Sequence, residues 1–197
     1  MAARKSADQK SPQAGRLRIV AGIWRSRLLQ IADVPGLRPT SERIRETLFN
    51  WLAPRIPGAR CLDLCAGTGA LGIEALSRGA AELVFVERSA AATKTLRGNL
   101  ASLGGTGAEV LSLDARRYLA GSAAKPFDIV FLDPPFKADL HDELCRLLAQ
   151  QSWLAGDARI YIEMDKDQPE LCLPEGWQVL KNKTAGKVRY LLAATDV

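Results

Sequence analysis

Residues 61–72 read Cys-Leu-Asp-Leu-Cys-Ala-Gly-Thr-Gly-Ala-Leu-Gly, and the architecture of the chain follows from them. A short apolar run ends in a loop whose glycines, Gly67, Gly69 and Gly72, fit G-x-G-x-x-G. Such a loop joins a buried strand to a helix and lets a ligand approach the backbone closely. On either side of it the pattern is regular. Apolar runs at 60–65, 82–87, 108–113, 127–132 and 158–163 alternate with helical stretches near 69–78, 89–103, 115–120 and 138–151. That alternation implies an α/β fold with a parallel sheet covered by helices on both faces. The rhythm then changes. Trp177–Lys181 and Val188–Ala193 read as strands joined through residues 182–187, a link short enough to favour an antiparallel pair.

Upstream of the loop the chain has another character. Residues 1–60 carry 12 Lys and Arg against 4 Asp and Glu, while residues 61–197 carry 15 against 18. The net +5 of the 197-residue chain is therefore concentrated at its start, which points to a polyanionic partner such as nucleic acid. Residues 1–14 are expected to form a disordered basic tail. Arg16–Ala21 and Trp24–Gln30, around Gly22, suggest a hairpin. On its strands Arg16 and Arg18, and likewise Arg25 and Arg27, would share a face. Thr40-Ser41 caps an expected helix to Leu52 with Ile44, Leu48, Trp51 and Leu52 on one side. Arg38, Arg43 and Arg45 surround its start and are expected to touch nucleic acid or close over a ligand. The resulting division is 1–14 tail, 15–58 hairpin and helix, and 59–197 main domain.

Several classes are excluded or disfavoured. No apolar run approaches the roughly 18 residues of a membrane helix, and the start lacks the apolar core of a secretory signal. Cys61, Cys65, Cys145 and Cys172 form no CxxC pair and the chain has one His, so no metal site is expected. That residue, His141, reads as a surface position beside Asp142 and Glu143.

The chemistry gathers at the carboxyl ends of the strands, where open sheets bind ligands. Glu87 follows Gly67 by 20 residues, as in dinucleotide sites, where an acid holds a ribose. Asp63 argues for another ligand, because a carboxylate at the strand end would repel a pyrophosphate. Asp63, Glu87 and Asp114 together suit a ligand with an ammonium, a ribose and an adenine amine. S-Adenosylmethionine has all three: Asp63 would take the amine, Glu87 the ribose hydroxyls and Asp114 the adenine N6. The fourth strand ends in Asp133-Pro134-Pro135-Phe136. The Asp133 carboxylate and the Pro134 carbonyl could accept the two N–H groups of an exocyclic amine, on a turn made rigid by the prolines. Phe136 could stack on the base. Proximity and orientation would then carry most of the transfer.

These residues resemble the class I S-adenosylmethionine-dependent methyltransferases. Asp133–Phe136 is similar to the tetrad of enzymes that methylate amino nitrogens. Arg18–Arg27, Gly36–Thr40 and Arg43–Leu52 resemble, more narrowly, the RsmD family, over about residues 16–193. The resemblance implies a Rossmann-like, mostly parallel seven-stranded sheet with an antiparallel C-terminal strand. It implies methyl transfer to guanine N2 of bacterial 16S ribosomal RNA, in the cytoplasm, by a monomer acting on a small-subunit particle, with ribosomal proteins as further contacts. Cofactor contacts would come from Asp63, Ala66, Gly67, Thr68, Gly69, Glu87, Arg88, Asp114 and Ala115. Catalysis would fall to Asp133, Pro134, Pro135 and Phe136, and RNA positioning to Arg16, Arg18, Arg25, Arg27, Arg38 and Arg43. Lys181, Lys183, Lys187 and Arg189 could extend the footprint. Four rival readings are a DNA adenine or cytosine amino-methyltransferase, a protein glutamine methyltransferase, an NAD-dependent oxidoreductase and a non-catalytic RNA-binding assembly factor. The first lacks chain for a target-recognition domain, Asp133 disfavours the second, Asp63 and the tetrad the third, and an intact tetrad the fourth.

Overall fold

A computed structural model describes residues 15–195; the expected tail lies outside them. Seven strands form the main sheet: β3 (Arg60–Leu64), β4 (Glu82–Glu87), β5 (Ala108–Ser112), β6 (Phe127–Leu132), β7 (Leu154–Asp165), β8 (Trp177–Ala185) and β9 (Val188–Thr195). Their spatial order is β5-β4-β3-β6-β7-β9-β8. The pairs from β5 to β7 are parallel, and β9 inserts antiparallel between β7 and β8. The order reverses beside β3, with β4 on one side and β6 on the other, and a crevice opens at such a reversal.

The strands alternate their side chains between two packed layers. Cys61, Phe85, Ile129, Phe131 and Tyr161 face α1 (Glu42–Leu52), α2 (Ala70–Ser77) and α3 (Ala90–Leu103). Leu62, Val84, Val130, Leu132 and Ile162 face α4 (Ala115–Leu119) and α5 (His141–Gln150). Ser41 caps α1 by accepting from the Ile44 N–H, and Leu48, Phe49 and Leu52 are wholly buried. The helix from the basic segment is thus part of the core.

Where boundaries differ from the sequence reading, tertiary pairing explains it. β7 starts earlier and ends later than 158–163, because β6 and β9 pair with it on both sides. β8 runs on through Ala185, since residues 182–185 pair with Val188–Leu191 instead of looping. The helix expected from 138 begins at His141, after a 3-10 turn at Phe136–Ala138. The hairpin is reduced to β1 (Arg16–Arg18) and β2 (Leu28–Gln30). Residues 19–27 between them form a loop docked on α2: Ile23 N–H donates to the Ser77 carbonyl and Trp24 N–H to Ser77 Oγ.

Candidate active site

The crevice beside β3 holds a cleft walled by Arg38, Thr40, Asp63, Ala66, Thr68 and Asp133. Asp63 comes from the end of β3 and Asp133 from the residue after β6, so the sheet itself brings the glycine loop and the tetrad together. Thr40 enters from the segment before α1. Its hydroxyl donates to Asp133 Oδ2 at 3.5 Å.

The glycine loop is braced by two acids. Gly67 takes φ +52°, in the left-handed region that glycine enters freely, and its N–H donates to Glu87 Oε2 at 2.9 Å. Glu87 Oε1 accepts from the Ser89 N–H. Asp63 Oδ2 accepts from the Gly72 N–H at 2.9 Å. Gly72 lies so close to β4 that a Cβ there would stand 2.2 Å from the Phe85 ring, the close helix–strand packing expected of the third glycine. Gly69 caps α2 in the left-handed conformation.

The electrostatics of the cleft favour a cation. Asp63 is only 3% exposed, and burial pushes its carboxyl up to about 7, against the pull of the Gly72 N–H and with help from the Glu87 charge. Burial also holds Asp133 well above the usual carboxylate range, as do the charges of Glu163 and Asp63, while the Thr40 hydroxyl opposes them. Glu163, on β7, is buried and raised in the same way, with the Tyr161 and Thr40 hydroxyls opposing. Three carboxylates that resist ionising together form a site that a positive ligand relieves. An ammonium and a sulfonium therefore fit this donor set better than a pyrophosphate does.

The remaining candidates lie at the rim or elsewhere. Arg88 is exposed next to Glu87, and Ala115 is buried as the first residue of α4. Asp114 caps α4: Oδ1 accepts from the Arg116 N–H and guanidinium, which holds its carboxyl below the usual range. Pro134 is buried, Pro135 exposed and Phe136 half-buried. Gln168 ties the tetrad to the segment after β7 by donating to the Phe136 carbonyl at 3.1 Å.

Among the basic residues, Arg16 and Arg18 point outward together from β1, Arg18 lying 3.6 Å from Glu42. Arg38 and Arg43 are exposed. Arg25 and Arg27 do not share a strand face, because both lie in the 19–27 loop; Arg27 donates to the Ser102 carbonyl of α3. Trp24 packs against the core and lies beside Gly105. Arg45 is a clear correction. It is 1% exposed, pairs with buried Glu74 at 3.1 Å, and donates to the carbonyls of Arg18 and Thr40. Glu74 also accepts from the Val20 and Ala21 N–H groups and from Arg78. Arg45 thus fastens the basic segment to α2 and faces no nucleic acid. Arg189 turns inward as well, donating to Met164 Sδ at 2.8 Å and to the Pro169 carbonyl, whereas Lys181, Lys183 and Lys187 are exposed.

His141 is not a surface residue. It is 4% exposed, its Nε2 donates to the Glu163 carbonyl at 2.8 Å, and burial lowers its pKa. The sequence reading also passed over Thr40 as part of the cleft and over the pair of Glu163 and Tyr161, whose hydroxyl donates to Glu163 Oε2 at 2.7 Å. Glu163 had a signal: it is a carboxylate closing an apolar run, as Asp63 and Glu87 nearly do.

Comparison with known proteins places this geometry among relatives. The family model described as Conserved hypothetical protein 95 matches residues 17–194. Ribosomal RNA small subunit methyltransferase D of Escherichia coli strain K12 is 46% identical over 179 residues, covering 91% of this chain and 90% of that protein. Its namesake from Haemophilus influenzae is 45% identical over 187 residues, covering 93% and 96%. The solved structure of yhhF from Escherichia coli superposes with a TM-score of 0.86 at 43% identity, over 93% of this chain and 99% of that one.

Proposed function

The chain belongs to the RsmD family, described as Conserved hypothetical protein 95, and from that premise we propose that it transfers a methyl group from S-adenosylmethionine to the exocyclic N2 of a guanine in 16S ribosomal RNA. The observation that carries this reading is the single cleft in which Asp63 and Asp133 meet at the sheet's reversal point.

The cofactor, when bound, supplies an electrophilic methyl on a sulfonium. Asp63 would hold its ammonium, Glu87 its ribose hydroxyls and Asp114 its adenine amine, with Ala66, Gly67, Thr68 and Gly69 forming the backbone cradle and Arg88 and Ala115 lining the flanks. Asp133 and the Pro134 carbonyl accept the two N–H groups of the target amine and turn its lone pair toward the methyl. Pro135 fixes that turn, and Phe136 offers an aromatic face to the base. As the amine lone pair took the methyl, the sulfonium's S–CH3 bond would break and leave a neutral thioether, and the methylated nitrogen, then cationic, would shed a proton. Asp133 stands beside it, and the burial that raises its proton affinity favours the transfer.

The RNA would lie across the exposed guanidiniums of Arg16, Arg18, Arg25, Arg38 and Arg43, with Arg27 at the margin. Arg forks suit phosphates. The substrate is the rRNA within a small-subunit particle, met in the bacterial cytoplasm by a single copy of the chain. Among the described residues no helix is long and apolar enough to cross a membrane.

Asp133→Ala tests the assignment. Transfer to the rRNA should fall at least about a hundredfold, the scale of losing a group that orients and accepts a proton, while calorimetric affinity for the cofactor stays within about twofold. Near-normal turnover would overturn the role given to Asp133.

A further inference from the structure

β6 and β7 pair in parallel with Phe131 opposite Tyr161 and Leu132 opposite Ile162. Continued by one residue, that register sets Asp133 beside Glu163. Neighbouring strands lie about 4.8 Å apart, and both residues fall on the face of Phe131 and Tyr161, below α1. The Thr40 hydroxyl donates to Asp133 Oδ2 at 3.5 Å and favours the ionised form of Glu163 as well, so it acts on both carboxylates. Each carboxylate accepts up to about four hydrogen bonds, which leaves capacity for an incoming group.

Glu163 is also held in place. Tyr161 donates to Oε2 at 2.7 Å and buried His141 ties down its carbonyl at 2.8 Å. Its situation contrasts with that of Glu74, the other buried glutamate. Glu74 is matched by Arg45 and Arg78 and braces the N-terminal segment, whereas among the described residues no ion pair reaches Glu163. A buried carboxylate without a cation costs stability, and the Tyr161 hydroxyl that it accepts is a neutral partner, not a counter-charge.

We propose that Glu163 reads the target base as guanine, its carboxylate accepting from the ring N1–H while Asp133 accepts from the adjacent N2 amine. This rests on the guanine-N2 reading above. Guanine alone among the common bases carries a ring N–H next to its exocyclic amine. Adenine and cytosine present a ring lone pair there, which would face the carboxylate and be repelled. The same pair of acids therefore selects guanine and rejects the other amino bases. The incoming N1–H also adds a donor that favours the ionised form of Glu163, as its hydroxyl neighbours do.

The test uses ribosomal RNA carrying guanine or 2-aminopurine at the target position. 2-Aminopurine keeps the amine at C2 but replaces N1–H with a lone pair. Wild-type kcat/KM should favour guanine by roughly 5- to 150-fold, the span of one good base contact. In Glu163→Gln the amide can donate to that lone pair, so the preference should shrink to near unity or invert. A substitution that lowers both substrates equally and keeps the ratio would overturn the proposal, because a purely structural role does just that. Should E163Q not fold, the wild-type ratio decides: equal rates on the two substrates overturn the proposal. A wild-type protein that leaves guanine N2 unmethylated would instead overturn the reading beneath it.

Discussion

Asp63, as the proposed partner of the cofactor's ammonium, would tie cofactor binding to pH. Its carboxyl is raised to about 7 in the folded protein, so its contribution to stability is complete below the usual carboxylate range near 4 and is lost as pH climbs through 7. A bound ammonium favours the ionised form and works the other way. Cofactor affinity should therefore rise between about pH 5.5 and 7, by up to about tenfold per unit, and Asp63→Asn should flatten that slope. Calorimetry across the range checks both; an equally steep slope in the variant would remove Asp63 from the cofactor's ammonium. Asp63 was legible in the sequence because it ends a strand directly before a glycine loop. His141 was not, because its acidic neighbours Asp142 and Glu143 suggested a solvated face, while the carbonyl that buries it lies 22 residues away on β7.

At the scale of elements, α1 explains both the success and the failure of reading by period. Its apolar stripe of Ile44, Leu48 and Leu52 predicted the helix and its buried side. Arg45 lies within that stripe, near Leu48, Phe49 and Leu52, yet its charge suggested solvent. It is buried because Glu74 on α2 supplies a counter-charge and the Arg18 and Thr40 carbonyls accept from it, partners that the local sequence does not show. Arg45→Met would strip Glu74 of one of its two cations and leave the Arg18 and Thr40 carbonyls without their donor, so it should cost about 3 kcal/mol, the lower end for a broken buried pair. Urea unfolding measures it, and a loss below about 1 kcal/mol would mean that the pair is not what fastens the N-terminal segment. The strands were legible for a simpler reason: parallel strands buried on both faces read as unbroken apolar runs. The loop at 19–27 was not, since its geometry is set by Ser77 and Ser102 on distant helices.

Over the whole molecule the charge division at residue 60 takes on a structural meaning. Arg16, Arg18, Arg25, Arg38 and Arg43 stay at the surface, while Leu48, Phe49 and Leu52 of the same segment complete the main core. The basic segment thus turns the proposed RNA-gripping arginines outward and also walls the cleft, through Arg38 and Thr40. Removing it would strip the core along with the grip. The sequence revealed the charge and the helix, but only the packing joins them to Asp133. The account stands on the transfer itself. Purified protein and labelled cofactor would be incubated with small-subunit particles from a strain lacking this enzyme, and the modified nucleoside identified by mass spectrometry. N2-methylguanosine confined to the 16S RNA is the result expected. Label in N6-methyladenosine, in N4-methylcytidine or in DNA would contradict it, as would no transfer at all.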